Sequence, residues 1–202
     1  GATLGVLSGS RRVGANVTNA VAPEVALALT GITVNVVNEE NAWSHRPAVF
    51  LFNHQSTMDM IVVARVLRRD ITAVAKKELS RDPRFAPLGA LFDVAYVDRS
   101  NNAAAREAMK PAIDKLHSGV SVAVAPEGTR MPTERLGRFK KGGFHLAMAA
   151  GVPVVPLILQ GAGDVMWKSS FTAHSGTVTV TVGEPIPTTE WTPDTLDEHI
   201  AE

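Results

Sequence analysis

The sequence has no cysteine among its 202 residues. That excludes disulfides, thiolate metal ligands and a cysteine nucleophile, and it fits a reducing compartment without proving one. Net charge is missing as well, because 20 basic and 20 acidic side chains cancel. A chain with no basic excess is not a general nucleic-acid binder, so an anionic ligand must be held by locally clustered bases. Long apolar runs are also absent. Val25–Val37 is broken by Thr and Asn, and Leu146–Leu159 contains Pro153 and Pro156. Both fall short of the roughly 18–20 residues that span a bilayer. No secretory pattern opens the chain. It starts at Gly1 rather than Met, which is expected of a trimmed domain whose membrane anchor lies upstream. The six histidines (His45, His54, His117, His145, His174, His199) are scattered without H-x3-H or H-E-x-x-H spacing, so no metal site is expected.

What remains is an ordinary globular composition, 45% hydrophobic, in a length that suits one domain with a substantial core. Short Val- and Ile-rich runs read as strands at Ile32–Val37, Ala48–Phe52, Ile71–Ala75, Asp93–Val97, Val120–Ala125, Val152–Leu159 and Thr177–Val182. The last alternates Thr and Val strictly, so one of its faces should be wet. Helices are expected over Thr57–Arg69, Asn101–His117 and Phe139–Ala150, the third stopped by Gly151 and Pro153. Helices interleaved with mostly apolar strands predict an α/β fold: a single layered domain with a mixed, largely parallel sheet flanked by helices. Residues 1–30 read as an N-terminal helical segment interrupted near Pro23, and residues 31–202 as the main domain. The tail after Pro185 is polar and acidic and should end in a short helix. Neither terminus carries a functional clue.

The most informative segment is Asn53-His54-Gln55-Ser56-Thr57-Met58-Asp59, at a strand-to-helix junction. Ser56 suits an N-cap, with Asp59 three residues on in a capping-box position. Inside one helix, a spacing of five would turn His54 and Asp59 roughly 140° apart. With His54 in the loop before the cap, the chain can fold back and bring carboxylate to imidazole. Such a carboxylate fixes the tautomer and leaves the other ring nitrogen to take a proton from an alcohol. It is the base half of a Ser-His-Asp triad, with a substrate hydroxyl in place of serine. Taken alone, the pair is equally a surface histidine beside a capping aspartate.

Three charged clusters also follow strands. Pro126-Glu127-Gly128-Thr129-Arg130 comes after Val120–Ala125. Gly128 permits a tight turn or a close approach, and Arg130 offers a planar fork to a phosphate. Lys140-Lys141-Gly142-Gly143 then opens a helix whose amides favour anions. Asp98-Arg99-Ser100 and Lys76-Lys77-Glu78-Leu79 are the other two. Each alone reads as a solvated strand end. In a largely parallel sheet, however, all four lie along one edge, where α/β proteins bind ligands.

The sequence resembles the glycerolipid acyltransferase family typified by 1-acylglycerol-3-phosphate acyltransferase. Asn53-His54-Gln55-Ser56-Thr57-Met58-Asp59 resembles that family's NHxxxxD block, and Tyr96-Val97-Asp98-Arg99 its second block. Pro126-Glu127-Gly128-Thr129-Arg130 resembles the third, and Val152-Pro153-Val154-Val155-Pro156 the fourth. The blocks keep the family's order and spacing from about Val37 to Leu159. Met131 departs from the usual Ser after the EGTR stretch, and the membrane-embedding helices frequent at the family's N-terminus have only a weak counterpart.

The resemblance implies transfer of a fatty acyl group from acyl-CoA or acyl carrier protein to the free hydroxyl of lysophosphatidic acid, without a cofactor or a covalent acyl-enzyme. It implies His54 as general base oriented by Asp59. Arg99 and Arg130, helped by Lys76 or Lys77, would grip the phosphate, while Glu127, Gly128 and Thr129 position the acceptor. Val152–Pro156 would support the site or line an acyl channel. Glycerol 3-phosphate or another lysophospholipid is the alternative acceptor, and a non-catalytic peripheral lipid-binding module the alternative class. An acyltransferase built on His-xxx-Asp is disfavoured by the spacing of four and by the Glu127–Arg130 loop. The insoluble substrate implies a peripheral position on the cytoplasmic side of a membrane, with Arg68-Arg69, Lys76-Lys77 and Arg81–Phe85 as interfacial contacts.

Overall fold

The computed structural model describes residues 9–83, 86, 89, 94–97, 105–133, 135–168, 170 and 172–201. Its centre is a seven-stranded sheet of β1 (Ile32–Val37), β2 (Val49–Phe52), β3 (Ile71–Lys76), β4 (Ala95–Val97), β5 (Ser121–Val124), β6 (Val154–Gln160) and β7 (Gly176–Val182). The spatial order is β1-β7-β6-β2-β5-β3-β4. The pairs β2–β5, β2–β6, β3–β5, β3–β4 and β1–β7 are parallel; β6–β7 is antiparallel. Five strands, β6 to β4, therefore point the same way. The ends of β2, β5, β3 and β4 lie on one edge, as the sequence requires.

Period-two side chains put Phe50 and Phe52 of β2 into one core and Val49 and Leu51 into the other. All four residues of β2 are buried, and completely burying side chains of this size contributes about 1.5–3 kcal/mol each. On the Phe50 face pack α1 (Arg11–Thr30) and α3 (Asp59–Leu67), with α2 (Asn41–Ser44) nearby. On the Val49 face pack α4 (Ala105–His117), α5 (Gly142–Ala150) and the C-terminal tail through Trp191 and Leu196. The remaining short helices are α6 (Ala162–Val165) and α7 (Leu196–Ala201). In β7 the valines are buried while Thr177 is exposed and Thr179 and Thr181 are half-buried, which is the one wet face expected of the Thr-Val alternation.

The N-terminal segment departs from expectation. Rather than breaking near Pro23, α1 runs through it from Ser10, whose hydroxyl accepts from the Val13 amide, to Gly31 at φ 68°. A mid-helix proline removes one backbone hydrogen bond. Pro23 is buried and lines the cavity described below, and the packing of α1 on α3 and on the core through Leu27 holds the helix together across the gap. Farther along, Arg12 bonds Asp70 Oδ1 (2.7 Å) and the Ser118 and Gly119 carbonyls, and Asn16 bonds Asp70 and its amide. These contacts pin the start of α1 to the opposite end of the sheet from the His54 loop. No helix among the described residues is long and apolar enough to cross a membrane.

Candidate active site

The His54 loop is assembled mainly by hydrogen bonds between side chains and backbone. Asn53, one residue past β2, uses its side-chain amide like a strand: Nδ2 donates to the Leu159 carbonyl (2.8 Å) and Oδ1 accepts from the Leu159 amide (2.7 Å). This ties the loop to β6. The Val152–Pro156 stretch does not line the cavity described below, so β6 acts as support for the loop.

The Asp59 carboxylate is the hub. Oδ2 accepts from His54 Nδ1 (2.8 Å) and from the amides of Gln55 (2.7 Å) and Ser56 (2.8 Å). The residue is fully buried, and Oδ1 has no partner among the described residues. A buried carboxylate is costly unless donors compensate it; three donors on one oxygen do so and fix the loop around His54. The bond to the Ser56 amide is the reach-back half of the expected capping box. The other half differs: the Ser56 hydroxyl accepts from the Met58 amide (3.1 Å) and donates to the Met166 carbonyl (2.6 Å). Its hydroxyl is spent on α6's C-terminal end, so α3 begins at Asp59 rather than Thr57.

A carboxylate only accepts, so Nδ1 of His54 is the donor in this pair, and in the neutral ring this leaves the lone pair on Nε2. Nε2 makes no hydrogen bond among the described residues. The ring stands edge-on to Phe52, with centroids 5.8 Å apart, and its side chain is 20% exposed. This leaves the open nitrogen accessible in a largely apolar setting.

Glu127 holds the loop from the other side. Its Oε2 accepts from the His54 amide (2.7 Å), its Oε1 accepts from the Gly137 amide (2.8 Å), and the residue is 3% exposed. The His54 carbonyl accepts from the Met131 amide (2.7 Å). The two sequence blocks are thus stitched backbone to side chain. Arg130 Nη1 donates to the Thr57 hydroxyl and to the Lys168 carbonyl, both at 2.6 Å. Its Nε and Nη2 have no partner among the described residues.

A cavity of about 560 Å³ opens at this loop, within the roughly 300–1,000 Å³ of ordinary ligand sites. His54, Thr57 and Gly128 border it, and it continues between α3 and the sheet past Ala64, Ala73, Ala123 and Tyr96 to Ala22, Pro23 and Ala26 of α1. Its walls are almost wholly apolar. The residues from α1 are those the sequence reading missed. A helix that looked featureless closes one wall, and its only signal was the pair of small residues four apart.

The other expected residues fall as follows. Gly128 lines the cavity at φ 72°, where a side chain is strained. Thr129 is exposed and outside it. Lys77 is exposed at the start of a single 3-10 turn, Lys77–Arg81, whose Leu79 does line the cavity. Lys76 ends β3, and its side chain lies outside what the structure describes. Arg99 lies outside the described residues altogether.

A buried-carboxylate histidine at the mouth of an apolar cavity is the arrangement to set beside known proteins. The Acyltransferase family model matches residues 33–160, which span every element from β1 to β6. The chain belongs to the Acyltransferase family. It is 35% identical over 173 residues to a 1-acyl-sn-glycerol-3-phosphate acyltransferase of Limnanthes alba, covering 85% of this chain and 61% of that relative. It is 34% identical over 167 residues to the Homo sapiens 1-acyl-sn-glycerol-3-phosphate acyltransferase alpha, covering 82% and 59%. The chain thus spans about three-fifths of the length of these acyltransferases. Among solved structures it is similar to the 1-acyl-sn-glycerophosphate (LPA) acyltransferase PlsC from Thermotoga maritima, with a TM-score of 0.76, 25% identity, and coverage of 92% of this chain and 75% of that one. The shared α/β architecture is that of the sheet described above.

Proposed function

We propose that this protein transfers a fatty acyl group from an acyl thioester, acyl-CoA or acyl carrier protein, to the free hydroxyl of lysophosphatidic acid, yielding phosphatidic acid. The observation that carries this is the pairing of His54 with the fully buried Asp59 at 2.8 Å, leaving Nε2 open at the mouth of an apolar cavity. Similarity to acyltransferases named for 1-acylglycerol 3-phosphate supports the acceptor.

In this reading the acceptor hydroxyl donates to Nε2, and its oxygen attacks the thioester carbonyl as Nε2 takes the proton. Asp59 offsets the imidazolium charge that develops. The tetrahedral adduct collapses, the C–S bond breaks, and the leaving thiolate takes the proton back from His54. The cavity excludes water, which would otherwise compete as the nucleophile, and its apolar walls receive an acyl chain. Arg130, with Nε and Nη2 open, holds the acceptor's phosphate; Arg99, Lys76 and Lys77 join it on sequence grounds. Glu127 acts on the acceptor through the His54 loop.

In the same proposal the enzyme sits peripherally at a membrane, on its cytoplasmic side, because the acceptor is insoluble and reaches it from a lipid surface. Val21, Val25 and Leu29, four residues apart on the outer face of α1 and 51–83% exposed, supply an apolar contact beside the cavity wall. The deciding experiment is mass-spectrometric product analysis with a panel of lysolipids and both thioester carriers. Phosphatidic acid formed from lysophosphatidic acid is expected; thioester hydrolysis without an ester product, or a product only from phosphate-free acceptors, refutes the reading.

A further inference from the structure

Two lysines precede α5, and the structure separates them. Lys141 is committed, its ammonium 2.7 Å from the Asp197 carboxylate. Lys140 goes the other way. Its amide donates to the Pro126 carbonyl (2.8 Å), which fixes residue 140 against the start of the Glu127–Arg130 loop. Its side chain then lies across Gly128. A Cβ built on Gly128 would stand 2.6 Å from Lys140 Nζ and 3.0–3.1 Å from Cδ and Cε. The missing side chain at 128 is the space the lysine stem occupies. Gly128 itself lines the cavity with His54 and Thr57.

The ammonium has no hydrogen bond or ion pair among the described residues. The nearest acidic neighbour in the loop, Glu127, already has each carboxylate oxygen accepting a backbone amide. Lys140 is exposed and its ammonium is solvated, but beside a glycine that lines the cavity it is free to form a charge-assisted bond with an anionic ligand. Arg130, two residues on, keeps Nε and Nη2 unpartnered while Nη1 is anchored at Thr57. A dianionic phosphate monoester matches two such cations.

We propose that Lys140 is a further phosphate-binding residue of this site, contacting the acceptor's phosphate together with Arg130. The inference rests on the acceptor reading above. Of the phosphates in reach of such a mouth, those of the acceptor and those of an acyl-CoA donor, it assigns Lys140 to the acceptor's. Gly128 is then required twice, for its positive φ and for the room it leaves to the lysine.

The test is steady-state kinetics on Lys140→Gln, Lys140→Arg and the control Lys141→Gln, varying lysophosphatidic acid and acyl donor separately, with inorganic phosphate as a competitor. Lys140 contributes its backbone amide and the packing of its stem over Gly128; glutamine keeps the amide and most of that stem, so Lys140→Gln folds as the parent does, which thermal unfolding verifies. The expected result is a KM for lysophosphatidic acid at least ten-fold higher in Lys140→Gln, with kcat and the donor KM within two-fold of the parent. Weaker inhibition by inorganic phosphate accompanies it, Lys140→Arg recovers most of the loss, and Lys141→Gln behaves as the parent. An unchanged acceptor KM, a rise confined to the donor, or equal loss in Lys141→Gln overturns the proposal. A parent protein that forms no phosphatidic acid from any donor sinks the acceptor reading instead.

Discussion

Glu127→Gln separates two roles that the sequence could not distinguish. As a substrate-positioning residue, Glu127 would contact the acceptor, and its loss would raise the acceptor KM. In the structure both carboxylate oxygens accept backbone amides, 2.7 Å from His54 and 2.8 Å from Gly137, at 3% exposure. Glutamine keeps the shape and one acceptor, but its NH2 must face one of the two amides, donor against donor. One charge-assisted bond is lost, about 1.5–3 kcal/mol. For a domain of this size each kcal/mol lowers the midpoint by roughly 2–4 °C. A fall of about 3–12 °C in Tm is therefore expected by calorimetry. Whichever amide is lost, His54's directly or Gly137's through a shift of the shared carboxamide, the His54 loop is loosened, and a 1 Å displacement of a reacting group can cost about 10²-fold. Activity with lysophosphatidic acid should accordingly fall by ~10–100-fold in kcat, with the acceptor KM within two-fold. A Glu127→Gln protein with the parent's Tm and kcat but a raised acceptor KM would refute the argument and return Glu127 to the substrate.

His54→Ala, which removes a partly exposed ring, should keep the parent's circular dichroism while kcat drops by about 10²–10⁴-fold; retention of most activity would remove His54 as the base. Asp59→Asn preserves an acceptor for the three N–H groups but puts an NH2 where the unpartnered Oδ1 stands, so it should cost about 1–3 kcal/mol in urea unfolding as well as most of kcat. In Ala73→Leu, three added carbons intrude into the cavity wall, and competition between donors should shift toward shorter acyl chains; an unshifted product profile would show that the chain lies elsewhere. Asp70 gives a pH prediction. Burial raises its carboxyl, but hydrogen bonds from Arg12 and Asn16 and the charges of Arg12 and Arg46 outweigh that and hold it below its ordinary 3.8. Its contribution is complete above the unfolded value and disappears as pH falls through the lowered folded value. Between pH 6 and 3 the parent should therefore lose more stability to urea than Asp70→Asn does, and parallel losses would refute the linkage.

The parallel centre of the sheet was legible because β2 and β5 are short, apolar runs that a strand covered on both faces buries, and the one wet face of β7 because it alternates Thr and Val. The His–Asp pair was legible because five residues across a strand-to-helix turn leave the carboxylate within reach of the ring. Tertiary structure decided the rest. The break expected at Pro23 did not occur, since the packing of α1 on α3 and the core outweighs one missing hydrogen bond, and no local propensity encodes that packing. Glu127 and Arg130 are neighbours in a single loop, yet one points inward to two backbone amides and the other outward to Thr57, a division set by where the His54 loop lies. Lys140 and Lys141 are identical side chains in adjacent positions, and only the path of the chain past Pro126 and Asp197 makes one a paired surface cation and the other free at the mouth. The sequence by itself determined which chemical groups gather at the sheet's edge, because helices interleaved with strands buried on both faces impose parallel crossovers. Which way each group faces, and that α1 closes the cavity, depended on contacts between segments far apart in the chain, which spacing along the sequence does not record.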